Sequence, residues 1–237
     1  MNAPIIWYFA DPMCSWCWGF SPVVDRLRDK FSDRVKFALV LGGLRPFTRE
    51  PVSKESRQEI LHHWQEVHKL TGQAFTFDGA MPEGFIYDTE PASRAVIAVA
   101  ELLPEATFDY FKAVQRAFYV QQQDVTQVAV LSAILSALLQ ASPQSIGLDT
   151  QQFLQQFRSD KCRQITQAHF QKSRHFGVRG FPSMILQTGS RAEGISQEAA
   201  SQMETSQTQT PQTQYNLLTS GYRSYAELAV EIDASLL

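Results

Sequence analysis

Apolar residues change their period twice along this chain. Ile5-Ile6-Trp7-Tyr8-Phe9 is a short unbroken apolar run, and Val35–Leu41 is a second, interrupted only by Lys36. Runs of this length predict strands, the second one buried on both faces. Between them Val24, Leu27 and Phe31 recur at spacings of three and four, which predicts a helix from about Trp16 to Phe31. The three elements read as a βαβ unit, closed by the turn Gly42-Gly43-Leu44-Arg45-Pro46.

From Pro46 to Phe170 the period is helical throughout. Ile60, Trp64 and Val67 predict one helix, stopped by Gly72. Thr89-Glu90-Pro91 predicts a capped start for a second, which carries Ala95, Val96, Val99 and Leu102 and ends before Pro104. A third holds Phe108, Phe111 and Phe118, its stripe broken by the polar Gln115. Val128, Leu131, Leu135 and Leu138 predict a fourth; Leu154, Phe157, Cys162 and Ile165 predict a single, looser fifth. Gln73–Tyr87, with Gly79, Pro82 and Gly84, reads as a loop.

The pattern then reverts. Ser183–Gln187 predicts a short strand, with Tyr215–Thr219 as its hairpin partner. Gly221 breaks the chain before a closing helix at Tyr225–Leu236. Residues 190–214 are dominated by Gln, Ser and Thr, a composition that cannot bury a core and predicts a flexible loop. The fold class is therefore α/β. Residues 1–45 and 171–237 form a discontinuous sheet domain, and 46–170 an inserted helical domain.

Composition narrows the function classes. A net charge of −3 over 237 residues gives no reason to expect nucleic acid or an anionic membrane as partner. No apolar run reaches the length of about 18 residues that spans a bilayer. Met1-Asn2-Ala3-Pro4 has no basic region before the apolar run, so a cytoplasmic setting, where thiols stay reduced, is expected. Three cysteines do not make a disulfide-stapled scaffold; a labile, functional disulfide fits better.

The candidate chemistry lies in Asp11-Pro12-Met13-Cys14-Ser15-Trp16-Cys17-Trp18-Gly19-Phe20, at the junction of the first strand and first helix. Two cysteines separated by two residues at such a hinge read as a redox pair. Unpaired N–H groups and the helix dipole stabilise a thiolate at a helix N-terminus, so Cys14 is the expected nucleophile. Cys17, one turn further in on the same face, is the expected resolving thiol, which attacks a mixed disulfide and releases the product. Ser15 and Trp16 tune the surroundings of the pair, in a class whose potentials span about −270 to −120 mV. Half a zinc site is the competing reading, but a structural site needs two more ligands and no second pair exists. His62, His63 and His68 lack the spacing that would converge two of them, so no metal is expected. Cys162 stands alone in a helix and reads as a core filler.

Other residues carry two readings each. Asp11 is either a proton acceptor for Cys17 or a turn residue before Pro12. Trp16 suits an apolar rim that accepts unfolded segments, and Trp18 the core. Gly42-Gly43 could lie beside the cysteines, although it lacks the lysine and spacing of a phosphate cradle. Pro182, at the first residue of a strand, is either an ordinary trans strand start or a cis bond. If Phe181 faces Cys14, its N–H and C=O can pair with an extended substrate.

Cys14-Ser15-Trp16-Cys17 at the first strand-to-helix junction, with Gly177-Val178-Arg179-Gly180-Phe181-Pro182 after intervening helices, resembles the DsbA family of thioredoxin-fold proteins. Within it, Asp11–Phe20, Leu41-Gly42-Gly43-Leu44-Arg45-Pro46 and Arg116-Ala117-Phe118-Tyr119 are similar to the cytosolic branch of predicted protein-disulfide isomerases, related to the FrnE-like proteins. The resemblance covers nearly the whole chain. It implies a thioredoxin fold with an inserted helical domain, Cys14 as nucleophile, Cys17 as resolving cysteine and Pro182 as cis-proline. Ser15-Trp16 is neither the Pro-His of the periplasmic oxidase nor the Gly-Pro of thioredoxin, so strong oxidising power is not carried over.

The expected activity is thiol–disulfide exchange or isomerisation on protein or small-molecule disulfides. Phe181, Pro182, Ser15 and Trp16 would contact the substrate, and Asp11 would accept a proton. No resident cofactor is expected; glutathione or a thioredoxin-type thiol would supply electrons. Two alternatives remain at this point. One is a glutathione-dependent isomerase or transferase of the kappa-class or hydroxychromene-carboxylate isomerase type, in which serine commonly replaces the first cysteine. The other is a non-enzymatic adaptor that presents client proteins to a protease or chaperone.

Overall fold

The computed structural model describes residues 3–141, 149–189 and 213–236. β1 (Ile5–Ala10), α1 (Ser15–Phe31) and β2 (Lys36–Leu41) come first, and then the helices α2 (Lys54–Thr71), α3 (Glu90–Leu102), α4 (Thr107–Tyr119), α5 (Val128–Ala141), α6 (Thr150–Arg158) and α7 (Asp160–His175). β3 (Ser183–Gly189), β4 (Thr213–Ser220) and α8 (Tyr225–Ser235) close the chain. The sheet order is β2-β1-β3-β4, with β1 parallel to β2 and antiparallel to β3, and β3 antiparallel to β4. The predicted βαβ unit and hairpin are both present.

Alternation along β1 sorts the core into two layers. Ile6, Tyr8 and Ala10 join the large cluster, whereas Phe9, with Trp7 packed beside it, meets Val40 and Ile185 on the opposite face. The large cluster runs without a break from Phe20 and Leu27 of α1 through Val96, Tyr110 and Val114 to Phe153 of α6. Sheet and helical insertion therefore share one core, each fully buried side chain such as Leu27 or Phe31 adding about 1.5–3 kcal/mol.

Local chemistry explains the element boundaries. Gly72 ends α2 in the left-handed region at φ 72°, where its N–H reaches the His68 carbonyl. α1 carries Pro22 in its interior, which removes one helical donor. The freed Trp18 carbonyl accepts instead from the Ser21 hydroxyl at 2.9 Å and from the Gln73 side chain at 3.0 Å, so the helix continues.

Four expectations need correction. β2 is an edge strand: Val40 and Leu41 are buried, but Phe37, Ala38 and Leu39 are only half-buried, because β1 flanks it on one side alone. The fifth helix is two, α6 and α7, broken at Ser159, whose extended backbone (ψ 147°) and hydroxyl cap the Cys162 N–H. α7 also continues past residue 170 to His175 and packs against β2. Thr89 does not cap α3; Asp88 accepts from the Glu90 N–H, while the Thr89 hydroxyl accepts from the Arg45 N–H. Finally, Thr213 and Gln214 belong to β4, paired with Gly189 and Thr188, because a strand ladder satisfies the backbone whatever the side chains. The rest of the predicted flexible loop, residues 190–212, lies outside the described residues.

Candidate functional site

β1 ends at Ala10, and the turn Asp11-Pro12-Met13 delivers the chain to α1. Cys14 occupies the N-cap with extended backbone (φ −93°, ψ 116°), its N–H bonded to the Asp11 carbonyl at 3.1 Å and its carbonyl receiving the Trp18 N–H at 3.1 Å. The cap side chain makes no capping bond and the first turn holds no acidic residue, so the helix's free N–H groups stay available to negative charge on sulfur. Both are buried, Cys17 completely and Cys14 with 5% exposure, so the first thiol lies nearer the surface than the second. Both are free thiols.

The opposite wall comes from the segment before β3. The Phe181–Pro182 peptide is cis, and the Cys14 thiol donates to the Phe181 carbonyl at 3.5 Å. The Pro182 carbonyl is held by the Gly221 N–H at 2.7 Å. The Phe181 ring lies over Gly42, where an added Cβ would sit 2.0 Å from the ring. Gly42 in turn donates to the Ala10 carbonyl at 2.8 Å. Three chain segments, the ends of β1 and β2 and the approach to β3, thus converge on one sulfur.

Asp11 is fully buried at this junction. Its Oδ1 accepts from the Met13 N–H at 2.9 Å and its Oδ2 from the Leu44 N–H at 2.7 Å. Burial pushes the carboxyl up to about 6, and the bonds from Leu44, Met13 and Thr89 offset only part of that rise. Asp11 is therefore a turn residue whose carboxylate ties the start of α1 to the segment after β2. Burial, followed by the neighbouring Cys14, raises the Cys17 thiol well above its ordinary value.

Ser15 and Trp16, between the cysteines, are half-buried; the Trp16 ring leans on Tyr222 at 6.5 Å. Trp18 is a core residue, stacked on Tyr119 and bonded through its indole N–H to the Ala74 carbonyl at 2.8 Å. Cys162 is buried in α7, its thiol turned to the Arg94 carbonyl and pushed up to about 11 by burial. Among the described residues no cluster of His, Cys, Asp or Glu is arranged to hold a metal ion. A depression of about 580 Å³, lined in part by Phe176, Val178, Tyr215 and Leu217, lies on the opposite face of the sheet from the cysteines.

Sequence reading missed several neighbours of the dithiol. The Tyr87 hydroxyl donates to the Met13 carbonyl and fixes the turn from the helical side. Gly42 makes room for Phe181, and the Leu44 N–H anchors Asp11. The hydroxyls of Tyr8 and Tyr119 and the amide of Gln115 are buried with no hydrogen-bond partner. The strand period would have found Tyr8, two residues from Ala10 on the helix-covered face. Gln115 already stood out as the polar break in an apolar stripe.

Comparisons with known proteins agree with this geometry. A crystal structure of a candidate protein disulfide isomerase from Nitrosomonas europaea is 40% identical, covers 99% of this chain and 98% of that one, and superimposes with a TM-score of 0.81. The cytosolic disulfide reductase DsbM of Pseudomonas aeruginosa shares the fold at 21% identity, over 98% of this chain and the whole of its own, with a TM-score of 0.69. Among curated proteins, the ClpXP adapter protein SpxH of Halalkalibacterium halodurans is 23% identical over 76% of this chain; the match spans 58% of that relative's length. No helix of the described residues is long and apolar enough to cross a membrane. Residues 5–207 match the model of the DSBA-like thioredoxin domain, and the chain belongs to that family.

Proposed function

We propose that this protein is a thiol–disulfide oxidoreductase or isomerase working through Cys14 and Cys17. The observation that carries the reading is the pairing of a helix-cap sulfur with the Phe181 carbonyl 3.5 Å away and a second, fully buried thiol one turn behind. Cys14 attacks a substrate disulfide, forming a mixed disulfide and releasing one thiolate. Cys17 then gives up its proton and attacks the Cys14 sulfur, which releases the second substrate thiolate and leaves Cys14–Cys17 oxidised. Two electrons pass to the substrate. Asp11, ionised above a pH of about 6, accepts the Cys17 proton.

Substrate would lie against Ser15, Trp16, Phe181 and Pro182, with the Phe181 backbone pairing to an extended segment. Glutathione or a thioredoxin-type thiol would restore the reduced pair. The setting is the cytosol, where the net direction is reduction or isomerisation; DsbM, which shares the fold, is a cytosolic disulfide reductase. A Cys17→Ala variant should accumulate a mixed disulfide at Cys14 when offered a disulfide-bearing protein, readable by non-reducing electrophoresis and peptide mapping. Absence of an adduct, or an adduct through Cys162, overturns the mechanism.

The SpxH similarity favours a second reading, a client-binding adaptor that uses the cysteine pair as a sensor. Purification of the protein with a stable partner that persists in a Cys14→Ala/Cys17→Ala double variant would support the adaptor. Loss of the partner in that variant favours exchange.

A further inference from the structure

The two edges of the sheet differ. β2 carries Lys36, and α7 packs against it. β4 holds the other edge with no charged residue and no proline, and no described element lies beyond it in the sheet. Its outer row of backbone N–H and C=O groups is a template for one more strand, which charge or proline on an edge ordinarily prevents. The register shift against β3 falls at Leu218, so Thr213–Leu217 keep regular pairing.

Tyr215 and Leu217 stand on the face turned away from the dithiol, and they remain 52% and 60% exposed. Together with Phe176, Val178 and Ile185 they line the depression of about 580 Å³, a volume ample for a large apolar side chain. The charged and titratable residues of its lining are His175 and Arg179, with no carboxylate among them. The site is thus apolar inside, basic at its margin and bordered by an open strand edge.

We infer that β4 and this depression dock an extended polypeptide segment of another protein. The segment's backbone adds a strand to β4, its alternate apolar side chains enter the depression, and acidic residues beside them meet Arg179 and His175. Backbone bonds supply the affinity of such strand addition, and the alternate side chains supply the specificity. A second copy of this chain fits less well, because it would present the same basic groups rather than complementary acidic ones. The surface lies across the sheet from Cys14 and Cys17, so the inference stands apart from the exchange reading.

Fluorescence anisotropy tests it with a short labelled peptide in which phenylalanine and valine alternate with threonine, followed by aspartates. Binding should saturate, weaken roughly tenfold in Leu217→Lys and roughly fivefold in Arg179→Glu, the scale of one lost apolar anchor and one lost charge contact. Val230→Lys, a comparably exposed change on α8, and the Cys14→Ala/Cys17→Ala variant should bind as the wild type does. A twin peptide with lysines for aspartates should bind more weakly. Of two twins N-methylated at alternate residues, odd or even, one should lose binding. No binding to the wild type, normal binding to Leu217→Lys, or normal binding of the lysine twin or of both methylated twins would each overturn the inference. So would binding that appears only when a short turn replaces residues 190–212, which makes the chain's own segment the occupant. A dimer in sedimentation that Leu217→Lys dissolves would assign the surface to a second copy instead.

Discussion

Less than one helical turn separates Cys14 from Cys17, yet the two sulfurs belong to different regions of the molecule. The rim around Cys14 consists of outward-facing parts: the Phe181 carbonyl, the half-buried Trp16 and its neighbour Tyr222. The interior around Cys17 is closed by Tyr8, Asp11 and the aromatic layer of Trp18 and Tyr119. At the rim, the Phe181 carbonyl is paired with the Cys14 thiol and the Trp16 ring is half-buried. In the interior the hydroxyls of Tyr8 and Tyr119 are dry and unpaired. The sulfur that meets a partner needs access, and the sulfur that ends the encounter needs protection from every reagent except its neighbour. A helix N-terminus supplies both by placing the cap residue outside and the residue one turn later inside.

Gly42 is where the two regions touch, and changing it should have the largest effect. In Gly42→Ala the new methyl would overlap the Phe181 ring, forcing the ring and its carbonyl away from Cys14. Overpacking of this kind costs about 1–3 kcal/mol. The variant should show a lower denaturation midpoint and at least a tenfold loss of mixed-disulfide formation, on the same ~1–3 kcal/mol scale. A variant with normal exchange would mean that the rim does not depend on the placement of Phe181.

Asp11 sharpens the contrast from the interior side. Its carboxyl sits at about 6 in the folded protein against an ordinary 3.8, so the native state binds the proton more tightly than the unfolded chain. The resulting stability is fully present below a pH of about 4 and is lost as pH rises through about 6, a change on the order of 2–3 kcal/mol. Thermal midpoints followed across that window should fall in the wild type and stay flat in Asp11→Asn. A flat wild-type profile would place Asp11 in a more polar setting than its burial implies.

The smallest effect belongs to the rim. Trp16→Ala should raise KM for an apolar disulfide peptide about fivefold, equivalent to ~1 kcal/mol of lost apolar contact. kcat and the thermal midpoint should hold steady. A fall in stability comparable to that of Gly42→Ala would make Trp16 part of the core.

The framework was readable from periodicity because burial imposes it. The Ile5–Phe9 run, the three-and-four spacing of Val24, Leu27 and Phe31, and the Gly72 stop all survive in the structure as β1, α1 and the end of α2. Cys14 and Cys17 were legible as a pair because spacing and hinge position coincide in one short stretch. What escaped were features that depend on contacts between distant segments. Leu154, Phe157, Cys162 and Ile165 are spaced three, five and three, and the five-residue step is the only apolar trace of the break at Ser159, where the hydroxyl bonds the Cys162 N–H. An apolar run such as Val35–Leu41 does not reveal which strand lies at an edge, since that follows from the neighbours it acquires. Gly42 looked like a turn glycine, and its meaning comes from a phenylalanine near the other end of the chain.

That distance has a consequence for how the protein is made. Phe181 lies 167 residues after Cys14, and the central sheet pair joins Ile5 to Gln187. At synthesis rates of about 5–20 residues per second, the cysteines precede their facing wall by about 8 to 30 seconds. Throughout that interval the nascent chain carries two thiols with no cap carbonyl opposite them and no closed interior behind. Until the ribosome has finished β3, a chain bearing an exchange pair is exposed to the oxidative accidents of any other unfolded polypeptide.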